Sequence, residues 1–410
     1  MTSDRPEHIL DGFKVLDFTQ VVAGPTVTRL MAEMGAEIIK IEAPGGDPSR
    51  RLPFLKNGRS AYFVQQNRGK KSVCLDVKNP KGLELIKALI PHVDVLVENF
   101  VPGAIGRLGL GYEVVSAINP RIVMCSVSAF GQSGPLANKP GLDTIAQAYA
   151  GVTYMIGDPN GPPSLPMVAL GDVSTGVHAA CAIGYALLHR ERTGRGQYLD
   201  IAILDAYYHC HEVNVQIFSA SGGAIKPKRS GSQYYAICPI GLFKSKDGYL
   251  IIMALEHQWK PLCEAMGRPE LATDPRYATN AKRVENMREV VEIIERWLST
   301  TESDADAIAR LEAHRVPVAP ILSIEDTVKH PHHRQRGTVR TIVDRGMGKF
   351  DIPGFPLKFS EFPDLLPLEA PYLGEHNQDV LSRYLGYSAE QVSALEADGL
   401  LKREQPPWTQ

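Results

Sequence analysis

The chain has 410 residues, 44% of them hydrophobic and 22% charged, and a formal net charge of −2. That length exceeds what a single core supports and predicts two domains, while the near-neutral balance argues against nucleic-acid or other polyanion partners. No apolar run approaches the ~20 residues that span a bilayer, the opening MTSDRPEHILDG lacks a leader pattern, and six cysteines are scattered without a CxxC pair, so a cytoplasmic protein with reduced thiols and no membrane partner is predicted.

In chain order, residues 15–18 read as a short apolar strand, and Pro25 stands where a helix starts, with Val27, Leu30, Met31 and Met34 on one face. Gly35 ends that helix and residues 38–41 form the next strand, a βαβ unit. Its first turn sits where a nucleotide-binding turn would, yet it lacks GxGxxG, which speaks against a nicotinamide or flavin site. Arg68, Lys70 and Lys71 precede a strand at 72–75 and are candidates to meet phosphates. Asn79-Pro80 opens a helix, residues 93–98 form a buried strand, and Asn99 leaves its C-terminal end, where open α/β sheets bind ligands. A helix at 112–118 and a strand at 122–127 follow. Residues 1–220 are therefore expected to form a doubly wound, mostly parallel, Rossmann-like α/β domain.

A helix is predicted over 143–155, a loop at 158–163, and then a long helix from Asp172 to about residue 193, with Val173, Val177, Cys181, Gly184, Leu187 and Leu188 as its apolar stripe. Asp172 is placed as the N-cap, where free amides and the helix dipole favour an ionised carboxylate. Aspartates in that position commonly cap and do nothing more. Gly171 before it lets another group approach closely. Residues 197–204 form a further strand or buried run.

Residues 221–235 are rich in Gly, Ser and Lys and read as a linker or mobile loop. A smaller α+β domain is expected at 236–330, with a hairpin around Lys246-Asp247-Gly248 and a helix carrying Val284, Met287, Val291, Ile294 and Leu298. Residues 331–410 return to complete the large domain, through an irregular stretch at about 346–371 and helices beyond Gly374. His330, His332 and His333, like His209, Cys210 and His211, lack ligand spacing, so no metal site is expected. No GxSxG elbow is present.

Seven segments carry a resemblance over nearly the whole chain: LDFTQVVAGP (16–25), GAEIIKIEAPGGDPSR (35–50), NRGKKSVCLDVK (67–78), VENFVPGAIGRLGLGY (97–112), ALGDVSTG (169–176), RTGRGQ (192–197) and LGEHNQDVL (373–381). The chain resembles the class III CoA-transferases, the CaiB/BaiF or formyl-CoA transferase family. The resemblance implies an acyl-CoA:carboxylate CoA-transferase with coenzyme A thioester as substrate and no tightly bound cofactor. It makes Asp172 the covalent nucleophile, passing through mixed anhydrides and an aspartyl-CoA thioester. It places CoA contacts, several through the backbone, at Val22, Ala23, Leu75, Asp76, Val77, Lys78, Asn99, Phe100, Val101, Arg107, Pro140, Gly141, Leu142 and Asp143, and a substrate loop at Gln233, Tyr234 and Tyr235. Amides near Gly171, the helix start or the 230–235 loop become candidate oxyanion donors.

An interlocked homodimer is implied as well. Departures narrow the substrate. Val22 stands where oxalate-using members place a glutamine, and Leu142 where the α-methylacyl-CoA racemases place a histidine. Small dicarboxylic acids such as succinate are the expected substrates; a racemase-like enzyme or a non-catalytic acyl-CoA-binding protein are the alternatives.

Overall fold

The computed structural model describes residues 8–404. They divide into two compact units, one drawn from residues 8–152, 166–212 and 331–404, the other from Thr153–Leu165 and Val213–His330.

In the large unit six strands form a parallel sheet whose inner strands are short apolar runs buried on both faces, as helices on both sides require, while the last strand alternates half-buried and exposed residues. In chain order these are β1 (Lys14–Asp17), β2 (Glu37–Glu42), β3 (Lys70–Cys74), β4 (Val95–Glu98), β5 (Val123–Ser128) and β6 (Gln197–Ala202). They pair in the order β3-β2-β1-β4-β5-β6, every neighbour parallel. Strand order thus reverses between β1 and β4, the point where such sheets bind ligands. The helices needed below are α1 (Ala23–Glu33), α2 (Pro80–Leu89), α3 (Tyr112–Ile118), α4 (Asp143–Tyr149), α5 (Leu170–Thr193) and α6 (Ile203–His209).

The helix expected over 143–155 is broken at Gly151, whose φ of +79° ends α4's run before Val152–Met155 resumes. In α5 the expected stripe is largely on the outside. Gly171, Thr175, Gly176, Ala179, Ile183, Ala186 and Leu187 are buried, whereas Val173, Val177 and Leu188 are exposed. Small residues win the inner face because α1 lies so close: a Cβ on Gly176 would sit 2.6 Å from Thr26 Cβ and 2.9 Å from the Ala23 carbonyl oxygen.

The basic cluster does not await phosphates. Lys70 is fully buried in a 2.9 Å ion pair with Asp17, Arg68 is buried against Glu33, and Lys71 pairs with Glu37 and Asp379. The sheet's β3 edge is covered by the returning chain. Asn377 Oδ1 accepts from the Cys74 amide at 2.9 Å, and Leu401 bridges Leu75. The irregular stretch is shorter than expected, because Val339–Asp344 and Gly348–Pro353 pair as a hairpin anchored by the buried Arg59–Asp344 pair at 2.7 Å.

The small unit is α+β, an antiparallel sheet of Ile240–Lys244, Tyr249–Met253 and Val318–Pro320 packed on helices whose buried positions include Trp259, Leu262, Val290, Ile294 and Leu298. Its limits differ from those expected. The unit begins at 213 rather than 236, residues 221–235 belong to it rather than standing apart as a linker, and 153–165 join it. Arg229 explains the last point: its Nη1 and Nε donate to the Tyr154 and Asp158 carbonyls at 2.9 and 3.2 Å, with the guanidinium 5.1 Å from the Tyr154 ring centre. Cations on carbonyls and rings hold loops without a core.

Candidate active site

The chain leaving β1 makes one wall of a crevice at the switch point. Asp17, at the end of β1, accepts from the Thr19 amide at 2.8 Å and from the Thr28 hydroxyl at 2.8 Å. Lys40 Nζ donates to the Thr19 carbonyl at 2.7 Å and pairs with Asp47 at 2.9 Å, each side chain wholly buried. Val21 takes a φ of +66° inside this clamp. The opposite wall leaves β4, and Asn99 joins the two: its amide donates to the Gln20 carbonyl at 2.9 Å while its oxygen accepts from the Gln20 amide at 2.8 Å. Asn99's side chain is thus spent on the protein's own backbone.

Between these walls lies a cavity of about 230 Å³. Of the residues implied by resemblance, Val22, Ala23, Asn99, Phe100, Val101, Gly141, Leu142 and Asp172 line it. Val22 and Ala23 are buried and Val22 caps α1, so their backbone is what they can offer. Leu75, Asp76, Val77 and Lys78 follow β3, outside the cavity; the Asp76 carboxylate accepts from the Lys78 amide at 2.9 Å. Pro140 is exposed beside it, and Arg107 is exposed on the short helix Ala104–Arg107. Gln233, Tyr234 and Tyr235 belong to the small unit, where the Tyr234 amide donates to the Ile240 carbonyl at 2.7 Å and Gln233 Nε2 to the Leu242 carbonyl at 2.7 Å.

Asp172 is not the N-cap. Ala169 holds that position without a side-chain bond, and Asp172 sits in the first turn. Its amide donates to Asp143 Oδ2 at 2.9 Å. With the amides of Leu170 and Val173 bonded to Val168 and Ala169 carbonyls, the helix start has fewer oxyanion donors to spare than the sequence suggests. The expected preference for ionisation is reversed too. Burial, and after it the charge of Asp143, push the Asp172 carboxyl up to about 7, so desolvation and like charge outweigh the helix dipole.

Three groups here carried no sequence signal as site residues. Tyr207 of α6 donates from its hydroxyl to Asp143 Oδ1, and its ring lies under Gly171 so closely that a Cβ there would be 2.1 Å from Cε2. Tyr62 feels the same carboxylate: burial, then the charges of Asp172 and Asp47, push its phenol up to about 12. Lys139 is the cation among the residues lining the cavity, its Nζ 3.2 Å from Tyr149 Oη. Asp143, implied as a CoA contact, stands between Tyr207 and Asp172.

A half-buried carboxylate at the switch point of a parallel sheet fits nucleophilic chemistry on a nucleotide-bearing thioester, and comparison with known proteins decides the family. The model of CoA-transferase family III matches residues 10–377. The chain belongs to CoA-transferase family III. It is 36% identical to succinyl-CoA:glutarate CoA-transferase of Mus musculus, over 97% of this chain and 91% of the relative. It is also 36% identical to formyl-CoA:oxalate CoA-transferase of Streptomyces coelicolor, over 96% and 99%. A CaiB/BaiF family protein from Brucella suis, known from its crystal structure, superimposes with a TM-score of 0.81 at 34% identity, covering 92% of this chain and 99% of that one. The protein is therefore a CoA-transferase acting on CoA thioesters and carboxylic acids. Among the described residues no helix is long and apolar enough to cross a membrane, and no group of three or more His, Cys, Asp or Glu could hold a metal ion.

Proposed function

We propose that the protein moves CoA from a donor such as succinyl-CoA to a dicarboxylic acid through covalent intermediates on Asp172. The observation that carries this reading is the placement of the Asp172 carboxylate in the switch-point cavity beside the β1 and β4 turns. A half-buried carboxylate whose pKa lies near 7 is ionised in mildly alkaline solution and is more basic, hence more nucleophilic, than an aspartate in water. Asp172 attacks the donor thioester carbonyl, forming an acyl–aspartyl anhydride and expelling CoA thiolate. The thiolate attacks the aspartyl carbonyl of the anhydride, giving aspartyl-CoA and free donor acid. The acceptor carboxylate then attacks aspartyl-CoA, releasing thiolate again, and the thiolate takes the acceptor's acyl carbon to free Asp172. Activation is retained at every step provided that water is excluded, which the buried Val22 and Ala23 in the cavity wall favour.

Equal identity to succinate- and oxalate-using relatives leaves the acid to be argued from residues. Val22 occupies the glutamine position of oxalate-using members, which opposes oxalate. Lys139 supplies a cation for a carboxylate remote from the reacting one. Leu142 brings no proton-transfer group to the cavity, which opposes a racemase. Incubating the protein with a panel of acyl-CoAs and acids, with mass spectrometry of the products, tests the assignment: succinyl-CoA with C4–C5 dicarboxylates should exchange, and exchange confined to formyl-CoA and oxalate would overturn it. Lys139→Ala should raise KM for the dicarboxylic acid about tenfold while leaving kcat for a monocarboxylic acid near the parent value.

The same proposal includes a homodimer, with the interlocking that the resemblance implies. Its support is the outer face of α5, where Val177, Cys181, Tyr185 and Leu188 join Leu30, Met34 and Leu357 around an open apolar groove of about 600 Å³. A groove of that kind on an isolated chain is usually covered. Sedimentation at micromolar concentration should give the mass of two chains, and Tyr185→Glu with Leu188→Glu should give one. A parent protein that sediments as a single chain would contradict the dimer.

A further inference from the structure

Tyr207 is buried, with 3% of its surface exposed, and makes three kinds of contact that converge on the nucleophile. Its hydroxyl donates to Asp143 Oδ1, and the same oxygen accepts from Gln147 Nε2 at 3.1 Å. Asp143 Oδ2 in turn accepts from the Asp172 amide at 2.9 Å. The Tyr207 ring lies against Gly171, the residue before the nucleophile.

We propose that Tyr207 is a positioning residue for the transfer reaction: it holds the Asp143 carboxylate on the Asp172 backbone and seats the first turn of α5, so that Asp172 meets the thioester in one fixed pose beside a fixed negative charge. The inference rests on Asp172 being the nucleophile. A carboxylate with two acceptors committed to different donors cannot turn, and Gln147 fixes the phenol in its turn, so the chain Gln147–Tyr207–Asp143–Asp172 spans α4, α6 and α5 without a free joint. The charged and titratable groups acting on Asp172 are Asp143 from α4 and Tyr62 from the helix Ala61–Asn67, with Lys139 lining the same cavity and Tyr207 of α6 reaching it through Asp143. Of these Asp143 is the one whose charge opposes ionisation of Asp172, and that opposition depends on Asp143 being held in place.

The test is the pH dependence of single-turnover succinate release from succinyl-CoA between pH 5 and 9, in the parent, Tyr207→Phe, Asp143→Asn and the double variant. The parent rate should fall on the acid side as Asp172 takes up a proton. In Asp143→Asn the repelling charge is gone, so the acid limb should move to lower pH. In Tyr207→Phe the unclamped Asp143 turns towards solvent, so the limb should move the same way by at least about half a pH unit, with the plateau down about tenfold and KM for the thioester within about twofold of the parent. The double variant should match Asp143→Asn, because the hydroxyl acts through that carboxylate. A Tyr207→Phe limb that superimposes on the parent's, or a double variant whose losses simply add, would overturn the inference. Asp172→Ala, run alongside, separates the two readings: if it still releases succinate the nucleophile itself is wrong, and if it is inactive while Tyr207→Phe keeps the parent limb only the role of Tyr207 fails.

Discussion

On the proposed mechanism Asp172→Ala should abolish CoA transfer, by at least ~10³-fold in kcat, because a nucleophile that forms the covalent intermediate cannot be replaced by a methyl group. The fold survives the change. Asp172 makes no side-chain capping bond, and its carboxyl is pushed up to about 7 first by burial and then by Asp143, so the charged form is a burden on the native state. A carboxyl raised in the folded chain above its ordinary value of 3.8 lets the native state bind a proton that the unfolded state has already released. Stability is thus lost as pH rises from about 4 to about 7, and the full loss stands above pH 7. Asp172→Asn should therefore melt several degrees above the parent at pH 8 and alongside it below pH 4, as read by circular dichroism. Equal melting temperatures at pH 8 would show that the carboxylate is not desolvated as described. The parent enzyme's activity should fall as pH drops through 7, since the protonated acid cannot attack.

Gly171→Ala should be nearly as damaging to the reaction, although it adds one methyl group. That methyl would lie 2.1 Å from Tyr207 Cε2 and 2.6 Å from Cζ, inside any real contact distance, and the ring cannot retreat because its hydroxyl is tied to Asp143 and Gln147. The first turn of α5 has to shift instead. A displacement of about 1 Å at a reacting group costs ~10²-fold in rate, and overpacking a buried site costs ~1–3 kcal/mol. The expected result is a kcat reduced about a hundredfold with a lowered melting temperature; parent kinetics would mean that the ring and the glycine do not meet.

The inner strands were legible because both faces of a parallel sheet are buried, so they stand out as apolar runs: Val95-Leu96-Val97 needs no partner to be recognised. The loop after β1 and the Gly171-Asp172 pair were legible as a site only through resemblance. Periodicity misled at α5, where Val173, Val177 and Leu188 look like the core face but Thr175, Gly176 and Ala179 are the buried ones, with Gly176 set against α1. Hydrophobic spacing finds large apolar residues, and a close helix crossing is made by small ones. The basic run Arg68-Gly69-Lys70-Lys71 misled for a related reason, since charge on a strand reads as surface until the carboxylates of Glu33 and Asp17, distant in sequence, are seen beneath it. Gly171 signalled that something comes close, and no local pattern could say that it is a tyrosine 36 positions later.

The most direct test of the central claim is to mix the parent enzyme with succinyl-CoA and no acceptor, add hydroxylamine, digest, and weigh the peptide that contains Asp172. The account predicts a hydroxamate on Asp172 in the parent, a matching adduct mass when hydroxylamine is omitted, and neither in Asp172→Ala. An active enzyme whose Asp172 peptide stays unmodified through turnover would contradict it.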